Sequence, residues 1–360
     1  MEQDLREQLK LIVGQSLSES QTPGAAIAIR INGQAFLETG IGYQDHEHQV
    51  SLPTDANFYI YSITKTLIAT ASLHLVGEGF LELDAPVQNY LTDFPLDLSV
   101  TLRQLLSHTS GLPDYGGVPA YSEAIKANPS YPWSTEAFLD LAYRQGLQFV
   151  PGKGWAYSNI GYLLLKCILE KTTGLSIQKL LNKIIFSPLS LKKTFVPTTL
   201  DDVDELTPGY TAFFSGDQLQ DMTRIYHPAW VAHSVVISTA PELAKIIDAL
   251  FTGQILDLSL VEQMSRPIHN LGKYKLFENL GYGLGLFVDT ESSHGKVKGH
   301  TGEGPGYSVA AFHFPRLAGY GTTIAALVNR DKSDYGLALV YKIADVIESI
   351  PAIRNCGYTN

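Results

Sequence analysis

Leu5, Leu9, Ile12, Val13 and Leu17 recur every three to four positions and predict an amphipathic helix over residues 2–19. Pro23 and Gly24 end it. Two extended apolar runs follow, at 25–30 and 35–43, separated by Asn32-Gly33, whose tolerance of positive φ predicts a hairpin. A lone hairpin is marginal in water, so it needs partner strands. The next runs of strand character lie far away, at 283–290, 296–299, 307–314 and 322–329. Between the two groups the pattern is mostly helical: 64–77, 102–107, 135–144, 160–171, 177–186 and 241–251, broken by turns rich in Pro, Gly and Ser. A last helix, 334–350, can pack back onto the sheet. The expected fold class is α/β (α+β): an antiparallel β-sheet flanked by helices and built from both chain ends. The sheet lobe comprises 1–85 plus 235–360, a mostly helical lobe is inserted at 86–234, and an active-site cleft lies between them.

Composition narrows the function. With 360 residues, 45% hydrophobic and 17% charged, the chain can bury a sizeable core and carries no disordered tract. A net charge of −10, with no cluster of Lys and Arg, leaves too little counter-charge for a phosphate backbone, so nucleic acid is excluded as a partner and anionic membranes are disfavoured. Cys167 and Cys356 cannot form a disulfide framework and are expected to be structural. No apolar stretch reaches the ~18 residues of a transmembrane segment, and the charged N-terminus does not read as a signal peptide. The chain as it stands is therefore expected to be cytoplasmic, an exported form with its signal removed being the alternative. Oligomeric state is not legible.

Three short motifs carry candidate chemistry. Ser-x-x-Lys occurs four times, starting at Ser62, Ser176, Ser190 and Ser293, but only Ser62 follows an aromatic extended run and opens a helix. One helical turn places Lys65 on the face of Ser62, where a partly buried lysine loses its charge readily and can take the serine proton. Tyr157-Ser158-Asn159 precedes the helix at 160–171, a position from which a phenol can move a proton and a carboxamide can orient a substrate amide. A second Tyr-x-Asn ends the chain, at Tyr358 and Asn360. His300-Thr301-Gly302 closes a strand: hydroxyl and imidazole can bind a substrate carboxylate, an adjacent N–H can complete an oxyanion hole, and glycine admits close backbone approach. The histidines offer no strong metal site, since neither His46-Glu47-His48 nor His227 with His233 has a zinc-enzyme spacing.

The three motifs in this order resemble the serine β-lactamase and penicillin-binding protein superfamily. The combination of Tyr-x-Asn with a third motif of His/Lys-Thr-Gly is similar to the branch of class C β-lactamases and D-alanyl-D-alanine carboxypeptidases, which also includes esterases and D-amino-acid amidases. The stretches 105–113 and 149–162 read like that branch, and the resemblance runs from about residue 23 to about 330. It implies an acyl-enzyme hydrolase without cofactor or metal, acting on a small-molecule or peptide substrate. Ser62 would be the nucleophile, Lys65 and Tyr157 would share the acid and base work, and Asn159, His300, Thr301 and Gly302 would bind substrate. The N–H groups of Ser62 and Glu303 would form the oxyanion hole. The branch's strong β-lactamases carry lysine where this chain has His300, so ester, amide or peptide substrates are expected over efficient β-lactam turnover. With an ordinary pKa near 6.5, His300 is expected to charge as pH falls. The alternative is a weakly catalytic penicillin-binding or peptidoglycan-sensing protein on the same scaffold.

Overall fold

The computed structural model describes residues 2–47, 49–92 and 99–349. His48, Cys356 and the terminal Tyr358-to-Asn360 motif lie outside the described residues.

The chain opens with helix α1 (Glu2–Ser20), whose Leu5, Leu9, Val13 and Leu17 are buried as the apolar spacing requires. Strands β1 (Gly24–Ile31) and β2 (Gln34–Gly42) form the hairpin at Asn32-Gly33. After the short β3 (Phe58–Tyr59) come α2 (Ile63–Gly77), α3 (Leu102–Leu106), α4 (Pro119–Ala127), α5 (Thr135–Gln145), α6 (Asn159–Thr173) and α7 (Ile177–Leu181). Short pairs β4 (Tyr210–Thr211) with β5 (Gln220–Asp221), and β6 (Ile237–Ser238) with β3, lead to α8 (Ala240–Phe251) and α9 (Leu258–Met264). The chain then returns as β7 (His269–Tyr274), β8 (Phe277–Tyr282), β9 (Phe287–Ser292), β10 (Gly295–Gly304), β11 (Tyr307–Leu317) and β12 (Tyr320–Val328), and ends in α10 (Tyr335–Ser349).

The large sheet is antiparallel throughout, in the order β2-β1-β12-β11-β10-β9-β8-β7, so the N-terminal hairpin docks on the last strand, with Ala25 opposite Val328. Alternation along these strands divides the apolar residues between two cores. Ile27, Ile29, Phe312 and Ile324 pack beneath α1 and α10. Ala26, Ala28, Ala311 and Leu327 face a second core shared with α2, α6 and α8. Small residues on that face let the helices approach closely. Among the described residues no helix is long and apolar enough to cross a membrane.

Several elements escape the pattern, the two-residue strands β4, β5 and β6 among them. Strands β7 and β8 form an edge hairpin with mostly exposed residues in β7, so no clean alternation marks them. The expected strand at 283–290 begins instead at Phe287, because Gly283–Leu286 bends inward. A Cβ on Gly285 (φ +79°) would sit 2.4 Å from Ala69 of α2. Neither α4 nor the short α9 is among the helices that the apolar spacing predicts. The expected helix at 177–186 is α-helical over its first half and continues as a wider π turn, Asn182–Phe186.

Candidate active site

Ser62 occupies the N-cap position of α2, yet its side chain caps nothing. Among the described residues its backbone N–H meets no acceptor, while the three N–H groups that follow it bond to the carbonyls of Ile60, Tyr61 and Ser62. A hydroxyl that caps nothing, beside an unengaged N–H, suits a nucleophile whose product oxyanion must be held. The residue before it, Tyr61, takes a left-handed φ of 41°, a strained conformation for a bulky side chain. Its phenol donates to the Pro305 carbonyl at 2.5 Å, tying the approach to α2 onto the β10–β11 turn.

Strand β10 reaches the same place from the sheet. Its pairing with β9 ends at Gly299, while its pairing with β11 continues to Gly304, so residues 300–304 leave one edge open. A Cβ on Gly302 would lie 2.2 Å from the Ile60 carbonyl oxygen, and one on Gly304 would lie 2.5 Å from the Tyr61 ring. Glycine at these positions lets the strand lie against the segment that presents Ser62.

Lys65, one turn into α2, is fully buried. Its Nζ lies 3.1 Å from Ser62 Oγ, 2.7 Å from Asn159 Oδ1 and 3.3 Å from His233 Nε2. Burial pushes its pKa from 10.5 down to about 7, the Asp114 carboxylate opposing this in part. Tyr157 is half-buried beside it: the phenol hydrogen-bonds with Ser62, and Nζ sits 4.9 Å from the ring centroid. Burial raises the phenol's pKa, so it holds its proton.

Asn159 begins α6, capped not by itself but by Ser158, whose Oγ accepts from the Gly161 N–H. Asp114 accepts from both the backbone N–H and the Nδ2 of Asn159, each at 2.9 Å. That pair turns Oδ1 towards Lys65. His108 supports the same loop: Nδ1 accepts from the Ser158 N–H at 3.1 Å, and its ring packs tilted against Tyr157 with centroids 4.2 Å apart.

The third motif is arranged differently from its sequence reading. His300 is 1% exposed, its Nε2 3.1 Å from the Tyr282 hydroxyl and its Nδ1 2.5 Å from the Thr301 carbonyl. Burial drives its pKa down to about 3, so it is neutral above mildly acidic pH. The expectation of a histidine that titrates near 6.5 while facing a carboxylate is corrected: both ring nitrogens are committed within the protein. Thr301 is half-buried beside it and Gly302 is buried. Glu303 is exposed, and its carboxylate accepts from the Asp334 N–H.

A cavity of about 390 Å3 opens at Ser62, Asn159 and His233. Tyr115, Tyr121, Ile125 and Phe213 line an apolar side, and Glu303 with Asp331 an acidic one. No group of three or more metal-ligating side chains stands together among the described residues. Sequence reasoning missed Asp114, His108 and the contact of His233 with Lys65. Asp114 and His108 fall in the 105–113 stretch and its immediate continuation, but nothing in the sequence ties His233 to Lys65.

The Beta-lactamase family model matches residues 3–347. The chain belongs to this family. It is 26% identical to "Penicillin-binding protein 4*" of Bacillus subtilis over 96% of this chain and 77% of the relative. Among solved structures, D-amino acid amidase from Ochrobactrum anthropi, complexed with L-phenylalanine amide, superposes with a TM-score of 0.82 at 26% identity, covering 98% of this chain and 99% of that one. An octameric penicillin-binding protein homologue from Pyrococcus abyssi gives 0.81 at 25% identity, covering 96% and 78%. The antiparallel sheet flanked by helices is the β-lactamase and penicillin-binding protein fold expected from the motifs.

Proposed function

We propose that the chain is a serine hydrolase that cleaves small esters or amides through an acyl-enzyme on Ser62, amides of D-amino acids among them. The observation that carries the reading is a fully buried Lys65, half-neutral near pH 7, 3.1 Å from the Ser62 hydroxyl. Lys65 accepts the Ser62 proton as Oγ bonds to the substrate carbonyl carbon. The carbonyl oxygen becomes an oxyanion, stabilised by the N–H groups of Ser62 and Glu303. Tyr157, holding its proton, relays one to the leaving alcohol or amine as the carbon–heteroatom bond breaks. Water, deprotonated by the same pair, then attacks the acyl-enzyme and releases the acid and Ser62.

The cavity supports the substrate class. Its aromatic side suits an apolar acyl group. Glu303 and Asp331 on the other side repel a carboxylate and tolerate an ammonium, as in an amino-acid amide. The similarity to a D-amino acid amidase agrees with this. With His300 neutral and buried, no cation stands in the third motif to favour a β-lactam carboxylate.

The test is fluorophosphonate labelling with peptide mapping, followed by turnover of nitrophenyl acetate, D-phenylalanine amide, a D-Ala-D-Ala peptide and a chromogenic cephalosporin. We expect one adduct, at Ser62, and turnover of ester or amide above that of cephalosporin. An adduct at Ser176, Ser190 or Ser293 overturns the mechanism. A stoichiometric burst with penicillin and no turnover of any substrate would replace the hydrolase reading with that of a penicillin-binding protein.

A further inference from the structure

Three polar atoms surround Lys65 Nζ, and the hydrogen bonds they can share are limited in number. Asn159 commits its Nδ2 to Asp114, so its Oδ1 only accepts and takes one Lys65 N–H. A neutral primary amine then has one N–H and one lone pair left for Ser62 Oγ and His233 Nε2. The division is exclusive. When Nε2 accepts, the lone pair is free for the Ser62 proton. When Nε2 carries the proton and donates, the lone pair is consumed and Ser62 can only receive an N–H, which leaves it unactivated.

We propose that His233 is a positioning residue for acylation: protonated on Nδ1, it takes one N–H of Lys65 through Nε2 and so aims the amine lone pair at Ser62 Oγ. The proposal rests on Ser62 being the nucleophile and Lys65 its base.

The surroundings hold His233 to this task. The Val236 carbonyl accepts from the Ile60 N–H at 2.9 Å, and the Val236 N–H donates to Thr64 Oγ1 at 3.0 Å. The Ala232 N–H donates to the Tyr115 hydroxyl at 3.1 Å. The segment bearing His233 is thus stitched to the first turn of α2, to the extended run before it and to the loop of Tyr115. The ring is 1% exposed, and among the described residues its Nδ1 has no hydrogen-bond partner. Buried polar groups are rarely left unpaired, and retaining one here is understandable if the opposite nitrogen has work to do. Burial, with Lys65 alongside, keeps the imidazole uncharged. The other groups bearing on Lys65 are the Asp114 carboxylate, the neutral rings of His108 and His300, and the protonated phenols of Tyr157 and Tyr162. Burial holds both imidazoles neutral and both phenols protonated between pH 6 and 9, so a rate limb in that range belongs to Lys65.

Two measurements test the proposal. The first is 15N NMR of the resting protein labelled at histidine nitrogens, where His233 should show a protonated Nδ1 and a bare Nε2. The second is the rate of Ser62 phosphonylation by a fluorophosphonate as a function of pH in the wild type, His233→Gln and His233→Leu, with folding checked by circular dichroism. His233→Leu should lower the alkaline plateau about tenfold or more, the scale of a mispositioned proton acceptor. It should also move the rising limb to lower pH, because the ammonium loses one of its three acceptors. His233→Gln, which can still present an oxygen to Nζ, should keep plateau and limb within about threefold of wild type. Where His233→Leu does not fold, the glutamine variant and the tautomer decide. An Nε2–H tautomer, a leucine variant as fast as wild type, an unmoved limb, or a glutamine variant as impaired as the leucine one overturns the proposal while leaving the labelled Ser62 in place. Failure of the wild type to label at Ser62 would overturn the nucleophile itself and this proposal with it.

Discussion

Replacing Lys65 by methionine should make the protein more stable at pH 6 and less stable at pH 10. The buried lysine has its pKa lowered from 10.5 to about 7 by desolvation. At about 1.4 kcal/mol per pH unit, that gap makes burial unfavourable by about 5 kcal/mol below pH 7. Between the two values the unfolded chain holds a proton that the native lysine has released, so native stability rises with pH across this window. Above 10.5 the penalty is gone. Methionine fills similar space without a charge, but leaves Asn159 Oδ1 and His233 Nε2 without a donor, a loss of about 2–3 kcal/mol at every pH. The variant should therefore gain about 2 kcal/mol at pH 6 and lose about 2 kcal/mol at pH 10, a swing of about 4 kcal/mol set by the pKa shift alone. Urea unfolding followed by tryptophan fluorescence reads this directly: with a slope of about 3 kcal/mol/M, the midpoints should differ by roughly 0.7 M, in opposite directions at the two pH values. Titrating groups away from the site are common to both proteins and cancel, and burial, the larger cause of their lowered pKa, keeps His108, His233 and His300 neutral in both. A stability difference that does not change with pH would mean that Lys65 keeps its ordinary pKa in the folded protein, and the account of it as a neutral proton acceptor would fail.

Lys65→Ala and Tyr157→Phe should each lower kcat by about 100-fold or more, and the double variant should lose far less than the product, because both groups act on one proton; steady-state kinetics showing clean multiplicativity would separate their roles. For an ester and a cephalosporin alike, kcat/KM should rise through about pH 7 as Lys65 deprotonates. Since both rise together and His300 stays neutral down to about pH 3, the ratio of the two should be flat from about pH 5.5 to about pH 8.5. A ratio that narrows as pH falls would place a charging imidazole in the substrate's path.

What the sequence determined by itself was whatever depends on near neighbours. The spacing of Leu5, Leu9, Val13 and Leu17, the Asn32-Gly33 turn and the strand character of 307–314 and 322–329 specify their elements, because period and turn chemistry are local properties of the chain. The same locality puts Ser62 and Lys65 on one helical turn and marks Gly302 as a point of close approach. Strand β7 escaped because an exposed edge imposes no alternation. What only the tertiary structure decided is the electrostatic state of the site. Desolvation depends on everything packed around a group, and the partners of Lys65 come from Asn159 and His233, 94 and 168 residues away. Asp114 fixes the Asn159 amide from a separate loop. His300 reads in sequence as an ordinary titrating imidazole; Tyr282 and the Thr301 carbonyl, together with burial, make it a neutral one. A motif names the groups that could exchange a proton, but their pKa values are set by the solvent excluded and the hydrogen bonds made after folding, and neither is encoded by spacing along the chain.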